Sequence, residues 1–331
     1  MTRWSCSAPT AVGHGAAGVP SAATADVGPS EIYARSPDER QAAKDLRQRA
    51  GERLDPVVDD VAEMYGEEFS SPPTPSLELM LLAHDDQGSG PAVVLLHAGV
   101  ADRRMWDAVT PALAHTFRVI RPDLRGFGET PLPRGPYADA DDVDSLLAWL
   151  DIADAAVVGS SFGGRVAMEV ATLYPARVSS LVLLCAAYRG LEPTESVRTF
   201  GAEEDRLIEA GDIDGAVDLN VRTFLGPEAD RGSRELLTRM QRRAFEVQIA
   251  ADQADQADPG PEPRRVDVDP GDIAVPTLVV SGAHDLDHFR HVATHLAERV
   301  PGAEHVELDW AGHLPAMERP GAVLALLLDV L

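Results

Sequence analysis

From Leu77 to Leu331 the chain alternates two rhythms, and this limits its fold more than any other feature. Short apolar runs rich in β-branched residues occur at Leu77–Ala83, Ala92–Leu96, Phe117–Ile120, Ala155–Val158, Val178–Cys185, Val275–Val280 and Ala303–Leu308. Stretches with helical periodicity separate them, near 103–114, 141–150, 162–174, 287–299 and 320–331. Strands that are apolar throughout are buried on both faces, as happens when helices cover both sides of a largely parallel sheet. The rhythm breaks once. Between Cys185 and Val275 lie roughly 90 residues of charged, helical character with no convincing strand, too long a stretch for a simple crossover. The expectation is a helical cap over the carboxyl ends of the strands, where open α/β sheets bind ligands. Ala250–Pro263, acidic and low in complexity, reads as a loop within or after that cap.

The first 75 residues have a different character. Residues 1–30 are rich in Ala, Gly, Ser, Thr and Pro and read as disordered, residues 37–65 as one or two charged helices, and Ser70–Pro75 as a linker. The expected organisation is therefore an N-terminal extension over 1–75 and one domain over 76–331, its cap at about 186–272. The extension reads as a mobile arm rather than a partner-binding one. Arg3 and the Ala22–Ala25 run bear a faint likeness to a secretion signal, but Pro9, Gly13, His14, Gly15 and Pro20 interrupt any apolar core. No stretch has the ~18 consecutive apolar residues of a membrane helix, so a cytoplasmic protein is expected.

Charge excludes some functions. With 29 Lys+Arg against 54 Asp+Glu the net charge is −25, which argues against a nucleic-acid or anionic-membrane surface. Cys6 and Cys185 are the only cysteines and do not suggest a disulfide framework.

Three segments carry chemistry. Gly159-Ser160-Ser161-Phe162-Gly163-Gly164 sits between a strand and a helix, where a Gly-x-Ser-x-Gly turn presents its serine hydroxyl at the top of the sheet. Serine needs a base, which a carboxylate must orient. Asp285 follows a buried strand in Gly282-Ala283-His284-Asp285, with Asp287 as a near competitor, and His313 lies in a loop after the last strand. The order Ser161…Asp285…His313 fits a nucleophile–acid–base arrangement. Ser160 falls outside the register of the turn and reads as structural. His288, His291 and His295 are spaced i, i+3, i+7, but no Glu follows the first as in a zinc helix, and Arg290 and Arg299 share the segment. A solvated amphipathic helix is the better reading, and no metal or cofactor is expected. Cys185 reads as a small core residue.

Five motifs, Leu95-Leu96-His97-Ala98-Gly99, Asp123-Leu124-Arg125-Gly126-Phe127-Gly128, the serine turn, Gly282–Asp285 and Gly312–Pro320, occur in the family's order. On them the chain from about Leu77 onward resembles the α/β-hydrolase superfamily, in particular small capped hydrolases related to 3-oxoadipate enol-lactonases and bacterial esterases. The resemblance implies an α/β-hydrolase fold with the cap inserted after the sixth strand. It also implies a small-molecule substrate and a monomer or homodimer. Main-chain N–H groups of Phe162 and Gly99 would hold a developing oxyanion, with Val100 the alternative because Ala98 departs from the usual His-Gly-x. Asp123 and Arg125 are either substrate contacts or, as the likeness favours, a buttressing ion pair and loop anchor. Trp106, beside that loop, is a pocket wall or a packing residue, and Val100 is a further pocket candidate.

The leading expectation is a serine hydrolase of esters or lactones. A carbon–carbon bond hydrolase, perhydrolase or acyltransferase could use the same three residues, and a non-catalytic ligand-binding protein could keep the fold. Serine at the turn disfavours the aspartate-nucleophile hydrolases.

Overall fold

The computed structural model describes residues 81–133, 136–254 and 263–331. The readings of residues 1–75, the first part of Leu77–Ala83 and most of the acidic loop lie outside the described residues. Seven strands form one sheet: β1 (His84–Gly88), β2 (Ala92–Leu96), β3 (Arg118–Pro122), β4 (Ala155–Ser160), β5 (Val178–Leu184), β6 (Thr277–Gly282) and β7 (Glu304–Leu308). Their order is β1-β3-β2-β4-β5-β6-β7, with β1 antiparallel to β3 and every other pair parallel. The described α-helices are α1 (Thr110–Leu113), α2 (Asp139–Trp149), α3 (Phe162–Leu173), α4 (Glu195–Glu209), α5 (Ile213–Phe224), α6 (Arg231–Ala254), α7 (Asp287–Arg299), α8 (Pro315–Glu318) and α9 (Pro320–Val330), with 3₁₀ turns at Arg103–Trp106, Pro175–Arg177 and Pro270–Asp272.

Burial explains the apolar runs. Every residue of β4 and β6 is buried. Alternate residues enter different cores: Val93, Leu95, Val158, Val182, Leu184 and Val280 face one, and Val94, Leu96, Val157, Leu181, Leu183 and Val279 the other. Helices α2, α3 and α7 supply the second core, and α1, α9 and much of α4–α6 supply the first. At ~25 cal/mol per Å² of apolar area withdrawn from water, this double burial is the main driving force for the fold.

Some expectations need correction. The first described strand is His84–Gly88, and residues 81–83, the described end of the apolar run before it, are not part of it. It is an edge strand, held by β3 and by the cross-strand pairs Asp85–Arg121 and Asp86–Arg118, both at 2.7 Å, so it needs no apolar face. The cap helices follow β5, the fifth of the described strands. The continuous helix expected over 103–114 is a 3₁₀ turn, Arg103–Trp106, followed by α1, which restarts with Pro111 in its first turn. Helix α6 runs to Ala254, into the expected acidic loop. No helix among the described residues is long and apolar enough to cross a membrane.

Candidate active site

The parallel strands end on a common side, and the turns leaving β2, β3, β4, β6 and β7 there carry His97, Asp123, Ser161, Asp285 and His313. The turn after β4 is strained at Ser161, which has φ 51° and ψ −114°, a conformation that costs a non-glycine residue of order 1–3 kcal/mol. Main-chain bonds hold it there: Ser161 N–H donates to Leu184 O (2.9 Å), and Ser161 O accepts from Arg165 N–H (3.1 Å) and Ala187 N–H (2.9 Å). Space allows only small neighbours. A Cβ on Gly159 would lie 2.6 Å from Gly164 Cα, and one on Gly163 2.6 Å from His97 O. Although Ser161 precedes α3, its side chain makes no capping bond to the helix.

The hydroxyl is instead 2.7 Å from His313 Nε2, and His313 Nδ1 is 2.7 Å from Asp285 Oδ2. Facing a carboxylate, Nδ1 carries the proton and donates it, leaving Nε2 to accept from the serine O–H. Asp285 Oδ1 accepts the Leu286 N–H at 2.7 Å. Ser161 is 9 % exposed, whereas the histidine and aspartate side chains are almost wholly enclosed. Asp287 does not compete: it accepts from Thr194 Oγ1 at 2.7 Å and from Ser196 Oγ, at the start of cap helix α4. Phe289 of α7 and Phe224 of cap helix α5 pack on the imidazole, with ring centroids 4.1 and 4.8 Å away. The His313 N–H donates to Phe224 O at 3.1 Å. Both phenylalanines escaped the sequence reading, because no local pattern marks a residue that meets its partner across the chain.

The loop after β2 closes over the serine turn. His97 is fully buried; its Nε2 accepts the Leu124 N–H (2.9 Å) and its Nδ1–H donates to Ala98 O (2.9 Å). Burial lowers its pKa, so it is a neutral strut joining the loops after β2 and β3. The Ala98 N–H is committed to Met105 Sδ (3.3 Å) and the Ala101 N–H to Ala98 O (3.0 Å). Gly99 and Val100 lie between them, and a Cβ on Gly99 would be 3.4 Å from Phe162 Cβ. The loop therefore adjoins the first residue of α3, as an anion-holding pair of N–H groups would require.

Asp123 and Arg125 anchor loops but do not pair with each other. Asp123 accepts the N–H groups of Arg103 (2.8 Å) and Glu129 (2.9 Å) and pairs with the Arg103 guanidinium, which also reaches Glu129 at 2.6 Å. Arg125 forks onto Asp142 of α2 at 2.9 and 3.0 Å. Trp106 is no pocket wall. It has no exposed surface and packs in one core with Met105, Val109 and Leu113, because the 3₁₀ turn points it inward. Val100 is partly buried against the same core.

The three helix histidines do not converge. His288 is buried edge-on to Phe289, His291 is exposed, and His295 stacks on Tyr188 at 5.6 Å; the α7 face is thus only partly solvated. Among the described residues, the potential ligand atoms of Cys185, Asp285 and His313 lie within 4.8 Å of one another. Two of these groups are already hydrogen-bonded together, and burial pushes the Cys185 thiol well up, so the set serves the Ser161–His313–Asp285 line better than a cation. Cys185 has φ 47°, and its thiol donates to Gly312 O at 3.7 Å. It is more than core filler, since it braces the loop bearing His313. Ser160 is buried at the end of β4.

Comparison with known proteins follows the same outline. A 103-residue stretch is 44% identical to an uncharacterized protein of Mycobacterium tuberculosis, covering 30% of this chain and only 30% of that relative's length. The structure of a thermophilic esterase from Thermogutta terrifontis is 29% identical with a TM-score of 0.62, covering 75% of this chain and 92% of that one. The enol-lactonase of Burkholderia xenovorans is 26% identical with a TM-score of 0.61, covering 75% and 95%. Residues 93–326, which hold the sheet from β2 onward and all three members of the Ser161–His313–Asp285 line, match the Alpha/beta hydrolase family, and the chain belongs to it.

Proposed function

We propose that the chain is a serine hydrolase that cleaves a small-molecule ester or lactone through an acyl-enzyme on Ser161. The observation that carries this reading is the line Ser161 Oγ–His313 Nε2–His313 Nδ1–Asp285 Oδ2, with two bonds of 2.7 Å. Ser161 Oγ attacks the acyl carbonyl while Nε2 takes its proton; Asp285 stabilises the imidazolium and fixes its tautomer. The tetrahedral oxygen is held by the Phe162 N–H, at the positive end of α3, and by the Gly99 or Val100 N–H. Nε2 then protonates the departing alkoxide, and a water, deprotonated by the same nitrogen, releases the acid. The ester and lactone class is that of the esterase and enol-lactonase neighbours.

A fluorophosphonate probe tests this directly. The intact chain is expected to be labelled at Ser161 and to hydrolyse phenyl acetate, while Ser161→Ala does neither. Labelling at another residue, or undiminished hydrolysis by Ser161→Ala, refutes it.

A further inference from the structure

Glu318 ends the short helix α8, is 7 % exposed, and forms no ion pair among the described residues. A buried carboxylate without a cation is costly unless N–H donors surround it. Here they do. Both its oxygens accept the Gly312 N–H, at 3.0 and 3.1 Å, and its Oε2 also lies against the cap backbone, where a Cβ on Gly226 would collide with it. The N–H groups of Gly312, Gly226 and Leu314 favour its charge against the burial that raises its pKa. Gly312 immediately precedes His313. Gly226 belongs to the cap, two residues beyond α5.

These two glycines cross closely enough to exclude any side chain. A Cβ on Gly312 would sit 2.5 Å from Gly226 N, and one on Gly226 2.5 Å from Gly312 N. Other bonds run along the same seam: His313 N–H to Phe224 O (3.1 Å), Ser233 Oγ to Met317 O (2.7 Å) and Arg319 to Glu228 (2.8 Å). The seam joins cap to sheet domain at the loop that bears the imidazole.

We infer that Glu318 is a positioning residue: its carboxylate binds cap and histidine loop together at Gly226 and Gly312, so that cap geometry sets where His313 Nε2 meets Ser161. The inference rests on the serine-hydrolase reading above. Only an acceptor with two oxygens and no hydrogens satisfies converging N–H groups; a glutamine would turn an NH₂ toward at least one of them. The bonds to Gly312 are charge-assisted and stronger than neutral ones. A displacement of about 1 Å at the base lowers turnover by about 10²-fold.

The test uses the full chain and phenyl acetate, a small ester. Glu318→Gln is expected to lower kcat by about 10²-fold with KM within threefold, and Glu318→Asp, which keeps the charge on a shorter arm, to recover part of the loss. Gly226→Ala perturbs the seam from the cap side and is expected to lower kcat likewise. It decides the matter if Glu318→Gln does not fold. A lower melting temperature with kcat within twofold of wild type in these variants would make Glu318 a fold element only and overturn the inference. Ser161→Ala run alongside separates the failures. If it hydrolyses as wild type does, the serine reading falls; if it is inactive while the seam variants keep full kcat, only the inference falls.

Discussion

Replacing Asp285 by asparagine tests the proposed proton path most sharply, because the surroundings dictate how the new amide must lie. Asp285 now accepts twice, from the Leu286 N–H at Oδ1 and from His313 Nδ1–H at Oδ2, each at 2.7 Å. An asparagine has one oxygen. If its NH₂ faced the Leu286 N–H, two donors would meet in an enclosed place, at about 2 kcal/mol. The oxygen therefore goes to Leu286 and the NH₂ to His313, which forces Nδ1 to accept and puts the ring proton on Nε2. That nitrogen can no longer take the Ser161 proton. A bias of about 2 kcal/mol leaves roughly 1 molecule in 30 in the productive orientation. In that minority the imidazolium has lost a charged acceptor for a neutral one, about another 2 kcal/mol and a further ~30-fold.

The expected fall in kcat/KM for phenyl acetate is thus about 10³-fold, with little change in melting temperature, since the shape is conserved. Asp287→Asn is the matched control: it touches Thr194 and Ser196 rather than His313 and is expected to stay within twofold. A loss below tenfold in Asp285→Asn, or equal losses in both variants, would refute the tautomer argument.

Two further outcomes follow from packing and charge. Gly163→Ala would drive a Cβ into the carbonyl oxygens of Leu96 and His97; overpacking of rigid backbone costs roughly 3 kcal/mol, a fall in melting temperature of roughly 6–12 °C for a domain of this size, and an unchanged melt would show that the turn can open. Asp139, at the start of α2, is pushed up to about 6, chiefly by burial and against the pull of Arg165. Its ordinary value is 3.8, so between the two the folded chain holds the extra proton and stability falls as pH rises through about 4 to 6. A shift of about two units corresponds to about 3 kcal/mol. In denaturant titrations Asp139→Asn is therefore expected to gain about that much relative to wild type between pH 4 and pH 8, and parallel curves for the two proteins would contradict it.

Much of the site could be read from sequence because its parts are main-chain devices with composition rules. A turn that must hold Ser161 at φ 51° needs glycine where Gly159, Gly163 and Gly164 stand, and that need is written locally. Asp285 and His313 are recognisable for a similar reason, since each ends a strand within a short glycine-bearing turn. The missed residues have long-range roles. Phe224 and Phe289 are ordinary helix phenylalanines until α5 and α7 bring them to the imidazole, and β1 is held by partners rather than by its own pattern. For Trp106 the sequence left pocket wall and packing residue open, and the 3₁₀ turn that aims it at the core decides for packing. Glu318 did leave a trace: it is an acid closing the apolar turn Pro315-Ala316-Met317, where a solvated position would be expected to be more polar.

The three members of the proposed line are not held equally firmly. Ser161 and Asp285 leave adjacent parts of a parallel sheet, and the bonds of Ser161 N–H to Leu184 O and Cys185 N–H to Val280 O fix β4, β5 and β6 in register with one another. His313 is farther from its strand. The loop after β7 returns to the sheet domain through Ala311 N–H to Leu308 O and the Cys185 thiol on Gly312 O, but the His313 N–H itself is bonded to the cap. A buried sheet deforms as one cooperative unit, whereas contacts between an insertion and a loop open at lower free energy. Changes in the cap should therefore register first as misplacement of the base and only afterwards as displacement of the nucleophile.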